Sequence, residues 1–105
     1  YEKLKLNNIN PEIIDLRIIN PFNHEIISES VKKTGRLFVL DGGWGPCGIS
    51  AEVIASVSEI INPKCFKSQP KRLTIPFTPA PTSKFLESKY YPSEEKIIKE
   101  ILNIF

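Results

Sequence analysis

The sequence predicts an α/β fold with three layers, α/β/α, around a mostly parallel (mixed) sheet. Three observations carry that expectation. Short apolar runs rich in β-branched residues alternate with amphipathic segments, the pattern of strand and crossover helix. The stretch from Asn23 to Gly35 carries signals for both ends of a helix. The run Arg36 to Leu40 (RLFVL) is apolar almost throughout, as a central strand covered on both faces requires.

Taken in order, residues 1 to 7 (YEKLKLN) read as the tail of a helix, with Tyr1, Leu4 and Leu6 as candidates to face inward and Asn7 and Asn8 ending it. Pro11 then opens EIIDLRII, where Ile13, Ile14, Ile18 and Ile19 predict a strand over residues 12 to 18, stopped by Pro21. Asn23 is the expected N-cap of the next helix, with Phe22 and Ile27 as a hydrophobic staple. Glu25 suits the positive helix end, Lys32 and Lys33 the negative end, and Gly35 the C-cap. A second strand is predicted over 36 to 41, followed by the loop DGGWGPCG, which holds four of the five glycines. Ile49 to Ile61 reads as a helix with small residues Ser50, Ala51, Ala55 and Ser58, ended by Asn62 and Pro63. A basic link, KCFKSQPK, leads to a third strand over 71 to 75. Pro76, Pro79 and Pro81 then predict an extended surface strap. A short helix is expected over Ser83 to Lys89. A last one is capped by Ser93, with Glu94 and Glu95 in its first turn and Ile97, Ile98, Ile101, Leu102 and Phe105 as an apolar stripe against the sheet.

The bulk numbers bound the rest. A chain of 105 residues, 41% hydrophobic and 25% charged, has the length and balance of one folded domain. Its net charge of +2 is too small to capture a polyanion or a membrane surface, so nucleic acid and membranes are not expected partners. No apolar run approaches the roughly 18 residues needed to cross a bilayer, and a cytoplasmic location is expected. The chain starts at Tyr1 and has no methionine, so it is expected to be a fragment. Cys47 and Cys65 flank a helix that would hold them roughly 20 Å apart, which predicts reduced thiols.

The glycine loop admits two readings. Gly43, Gly45 and Gly48 spell the dinucleotide-binding spacing, after a strand and before a helix, and would suit a small free-standing nucleotide-binding or redox domain. Against this, no Asp or Glu lies between Glu59 and Glu87 to hold a ribose about 20 positions on, and Pro46 offers no N–H to a phosphate. A structural turn is the preferred reading. Cys47 near a helix start and His24, the single histidine, lack a third orienting group for nucleophilic catalysis, and two Cys with one His form no familiar metal set. Lys64, Lys67, Lys71 and Arg72 read as a solvated link. Trp44 is different: it is either folded back on its own domain or an interface anchor. Asp41, Gly43, Trp44 and Phe105 are the candidate interface residues, and no catalytic, cofactor-binding or metal residue is assigned.

Several blocks together resemble one family. Ile14-Asp15-Leu16-Arg17, Pro21, Ser30-Val31, Lys33 through Leu37, and Gly48 through Glu52 with Glu59 make up the first part; Pro76 to Pro81, Thr82-Ser83, Leu86 and Tyr90-Tyr91-Pro92 make up the second. The ordered set is similar to the C-terminal domain of transketolase-like thiamine-diphosphate enzymes, and within them to the beta subunit of the decarboxylating component of 2-oxo acid dehydrogenase complexes. In that family the domain begins with a further strand and the front of a helix, which would precede Tyr1. Many members carry His-Glu where this chain has Leu40-Asp41.

The resemblance implies a parent enzyme that decarboxylates a 2-oxo acid on thiamine diphosphate and passes the acyl group to a lipoyl arm, or, for transketolase itself, moves a two-carbon ketol unit. The Gly-Asp-Gly diphosphate segment that holds magnesium, and the carboxylate that activates the cofactor, are not in this sequence. Thiamine diphosphate and magnesium are thus expected in the parent enzyme and not in this domain. The implied partners are the preceding domains of the parent, a twin across a dimer axis, and the dihydrolipoyl acyltransferase core.

Overall fold

The computed structural model describes all residues from 1 to 105. Its elements in chain order are α1 (Glu2–Lys5), α2 (His24–Thr34), β1 (Phe38–Trp44), α3 (Ile49–Ile60), a 3₁₀ turn (Pro63–Cys65), β2 (Lys71–Ile75), α4 (Lys84–Tyr90) and α5 (Glu94–Leu102). The chain is α/β, with helices around a small parallel sheet in which β1 pairs with β2.

The helix ends form where the sequence marks them. Asn23 Oδ1 accepts the backbone N–H groups of Glu25 and Ile26, and Gly35 closes α2 in the left-handed conformation at φ 78°. Ser83 caps α4 and Ser93 caps α5 in the same side-chain manner. The core lies between the two long helices and the sheet: Ile27 and Val31 of α2, Leu37, Val53 and Val57 of α3, and Ile61 form one buried cluster. Val57 is 0% exposed.

Residues 12 to 18, expected as a strand, are not one. Their backbone turns in on itself instead: Asp15 Oδ1 accepts the Arg17 N–H, Arg17 sits at φ 54°, and the Ile18 N–H reaches the Leu16 carbonyl. The β-branched residues favour a pleated environment, yet a strand exists only against a neighbour, and none lies beside this segment. Ile14 and Leu16 still pack on the core, while Ile13, at 71%, and Ile18 stay exposed.

Two further expectations need correction. Coverage of β1 on both faces is incomplete: Leu40, Gly42 and Trp44 form an exposed row, with Leu40 at 52%. The apolar stripe of α5 is half-buried at Ile97, Ile98 and Ile101, and no residue of the helix is fully buried. Polar tethers set α5 in place. Lys71 of β2 pairs with Glu100, Lys3 of α1 pairs with Glu94 at 2.7 Å, and Arg36 Nε donates to the Ile104 carbonyl at 3.0 Å.

Candidate functional site

Strand β1 does not stop at Leu40. It continues through Asp41-Gly42-Gly43 to Trp44, and its register with β2 slips there: Leu40 faces Leu73 and Trp44 faces Ile75, so Asp41 to Gly43 stand opposite the single residue Thr74. Such a bulge bends the strand and re-aims its side chains. Asp41 makes it possible. Its Oδ1 accepts the Gly43 N–H at 2.8 Å, a local turn typical of aspartate.

The other oxygen, Oδ2, accepts the Ser50 N–H at 3.1 Å. Gly48 is the N-cap of α3 and has no side chain to satisfy the free N–H groups there, so Asp41 caps the helix from a distance. Burial pushes the Asp41 carboxyl up, but the N–H groups of Gly43 and Ser50 and the Arg72 guanidinium outweigh it and hold the group below the usual aspartate value. Arg72 Nη1 also donates to the Gly45 carbonyl at 2.7 Å and so pins the turn to β2.

Trp44 lies between these fixed points. Its Nε1–H donates to the Tyr90 hydroxyl at 3.3 Å, and that hydroxyl donates to the Thr78 carbonyl at 2.8 Å. The Phe77 ring meets the indole edge to face, with centroids 5.1 Å apart. The tryptophan is therefore folded back on the proline strap and α4, yet 45% of it remains exposed. Tyr90, itself buried, carries Tyr91 edge to face at 5.2 Å. Phe77, Trp44 and Tyr91 together form an exposed aromatic surface on a fixed base.

The structure separates the candidate interface residues. Asp41 and Gly43 are half-buried and bonded to each other, with the carboxylate turned into the protein. Phe105, 61% exposed, lies under the Arg36 guanidinium at 4.1 Å, before the start of β1, whereas Trp44 ends that strand. Trp44 and Phe105 thus sit at opposite ends of β1. Sequence reasoning missed Arg72 and Tyr90, the two groups that hold the turn and the indole. Arg72 looked like one charge in a basic link, and nothing local announces a tyrosine 46 residues away from its partner.

The nucleotide-binding reading fails on this geometry. Gly43 lies in a strand and not in a phosphate turn, and the left-handed position of the loop is Cys47, at φ 55°. A carboxylate already occupies the N-terminus of α3, where a pyrophosphate would sit. His24 and Cys47 line one groove beside Glu52, but no hydrogen bond joins them, and both cysteines are free thiols. The donor set does not fit a magnesium diphosphate either: both Asp41 oxygens are spent on backbone N–H groups, and no three His, Cys, Asp or Glu side chains converge on one point. No helix is long and apolar enough to cross a membrane.

Residues 1–97 match the family described as transketolase, C-terminal domain. The chain is 32% identical over 105 residues to the beta subunit of acetoin:2,6-dichlorophenolindophenol oxidoreductase of Bacillus subtilis (strain 168), covering 97% of this chain and 30% of that protein. It is 36% identical over 104 residues to the mitochondrial pyruvate dehydrogenase E1 component subunit beta of Rattus norvegicus, covering 96% of this chain and 29% of that one. Over 54 residues it is 54% identical to the pyruvate dehydrogenase E1 component subunit beta of Rickettsia bellii (strain RML369-C), covering 51% of this chain and 17% of that protein. The chain thus spans about three-tenths of the first and second of these relatives. A family match over nearly its whole length, on an α/β scaffold with parallel strands and crossover helix, means that the chain belongs to the transketolase C-terminal domain family.

Proposed function

We propose that this chain is the C-terminal contact domain of the beta subunit of a thiamine-diphosphate-dependent 2-oxo acid dehydrogenase, with no catalytic centre of its own. The relatives named as beta subunits of a pyruvate dehydrogenase component favour this parent over transketolase. The observation that carries the contact role is Trp44. An indole bonded to Tyr90, flanked by Phe77 and still 45% exposed is rigid before any partner arrives, so little side-chain freedom is lost on binding. The partners are the preceding domains of the parent, a twin subunit across a dimer axis, and the acyltransferase core. Thiamine diphosphate and magnesium belong to the other domains of that parent, a reading supported by the commitment of both Asp41 oxygens to backbone N–H groups and by the lack of a converging set of carboxylates.

The test is Trp44→Ala in the full-length parent, with dimerisation followed by sedimentation and core binding by titration. A loss of about 2 kcal/mol or more, roughly 30-fold in affinity, is expected for an aromatic anchor. Unchanged assembly with only a lower melting temperature would overturn the contact role and leave Trp44 as local packing.

A further inference from the structure

The Asp41 carboxylate is shared between two elements. One oxygen closes the bulge at Gly43, the other caps α3 at Ser50, and Trp44 lies in the chain between those two anchor points. On its far side the indole meets the Tyr90 hydroxyl and the Phe77 ring. None of the buried core cluster, Ile27, Val31, Leu37, Val53, Val57 and Ile61, belongs to residues 41 to 50. Ile49, just after the turn, packs against that cluster and Gly45 is buried, so it is the stretch from Asp41 to Trp44 that is held by polar bonds and not by the core. We propose that Asp41 is a latch: its carboxylate fixes the turn and thereby holds Trp44 against Tyr90 and Phe77, and its loss or neutralisation frees the indole while the core stays folded.

The charged group that acts on Asp41 is the Arg72 guanidinium of β2, which favours the ionised form. From α3 it is met by the uncharged N–H of Ser50, with the buried Ser50 hydroxyl alongside. Glu52, the first acidic residue of α3, is exposed and accepts from the Ser56 hydroxyl. Cys47, on the turn, is exposed. Because the carboxyl lies below its usual value in the folded protein, the latch is fully present above the unfolded value, about 3.9, and is lost as pH falls through the folded one. At neutral pH it is closed. Arg72 remains on the Gly45 carbonyl when the latch opens, so the release is confined to the stretch around Trp44.

Trp44 is the single tryptophan, so its fluorescence reports the latch directly in dilute solution, with no partner present. Asp41→Asn keeps the size of the side chain but leaves one acceptor oxygen, so the N–H groups of Gly43 and Ser50 cannot both be bonded. The expected result is emission at longer wavelength and acrylamide quenching raised about twofold, since an indole 45% exposed becomes free. Hydrogen exchange at the Gly43 or the Ser50 amide speeds by about tenfold or more, while the Val57 amide and the far-ultraviolet circular dichroism are unchanged. Acid titration of the unmodified chain gives the same emission change before any loss of helix signal, and Asp41→Asn shows no change over that range. Where the variant does not fold, this titration alone decides. Emission, quenching and exchange at both Gly43 and Ser50 equal to those of the unmodified chain, or an acid change in Trp44 that coincides with loss of the helix signal, would overturn the latch. These readouts are independent of whether Trp44 meets another subunit.

Discussion

Gly48 is fixed by space. Its backbone is extended, at φ −79°, a conformation open to any residue, but an added Cβ would fall inside the contact distance of the Trp44 carbonyl oxygen. Since that neighbour is backbone, it cannot swing away, and Gly48→Ala is expected to cost about 1–3 kcal/mol in urea unfolding, in the range of overpacked sites. Gly42, six residues earlier, has nothing within 4 Å of its ideal Cβ, and Gly42→Ala is expected to stay within about 0.5 kcal/mol. Equal losses for the two would show that the turn does not depend on the close approach. Asp41 was legible only as a candidate interface residue beside Trp44. Its inward role had one clue, a glycine at the cap of α3 that leaves the helix without a side-chain acceptor, and only the three-dimensional return of the chain supplies the answer.

At the scale of elements, the difference between α2 and residues 12 to 18 separates local from non-local information. Every feature that ends α2 lies within the helix or one residue beyond it, so Asn23, Glu25, Lys32, Lys33 and Gly35 could be read in advance. A strand needs a partner that its own residues do not specify, and EIIDLRII has none. The continuation of β1 through Gly42 and Gly43 was hidden for a related reason: glycines in sequence signal a turn, while here a bulge stabilised by Asp41 keeps them in the strand. The parallel pairing of residues 36 to 41 with 71 to 75, by contrast, follows from the helix between them and was readable. Because α2 contributes Ile27 and Val31 to the core, its cap couples to global stability. Asn23→Ala is expected to lower the unfolding free energy by about 1 kcal/mol. Ser93→Ala should have a smaller effect, as α5 buries no residue fully. A larger loss at Ser93 in parallel urea titrations would show that α5 is part of the cooperative core.

For the molecule as a whole, burial is uneven. One face of the sheet carries the cluster shared by α2 and α3, whereas α1 and α5 are joined to each other by the ion pair of Lys3 with Glu94, both exposed and so worth little by itself, and α5 to the sheet by Lys71 with Glu100. The same distribution bears on chemistry, because the carboxylates are surface groups except for the partly buried Asp41 and Glu100, which are already bonded. Calorimetric titration of the chain with thiamine diphosphate and magnesium is expected to give no heat of binding, and micromolar affinity would show a site that the donor geometry does not provide.

One edge of β1 has no strand beside it, and the row of Leu40, Gly42 and Trp44 stands exposed on the adjoining face. A row of open N–H and C=O groups next to apolar side chains is a template on which a second chain can add itself as the next strand. Crowding, in a concentrated preparation or on a ribosome-dense messenger, would then favour ordered aggregates grown edge to edge. How long the chain stays in solution by itself would be governed by its concentration as much as by the free energy of its fold.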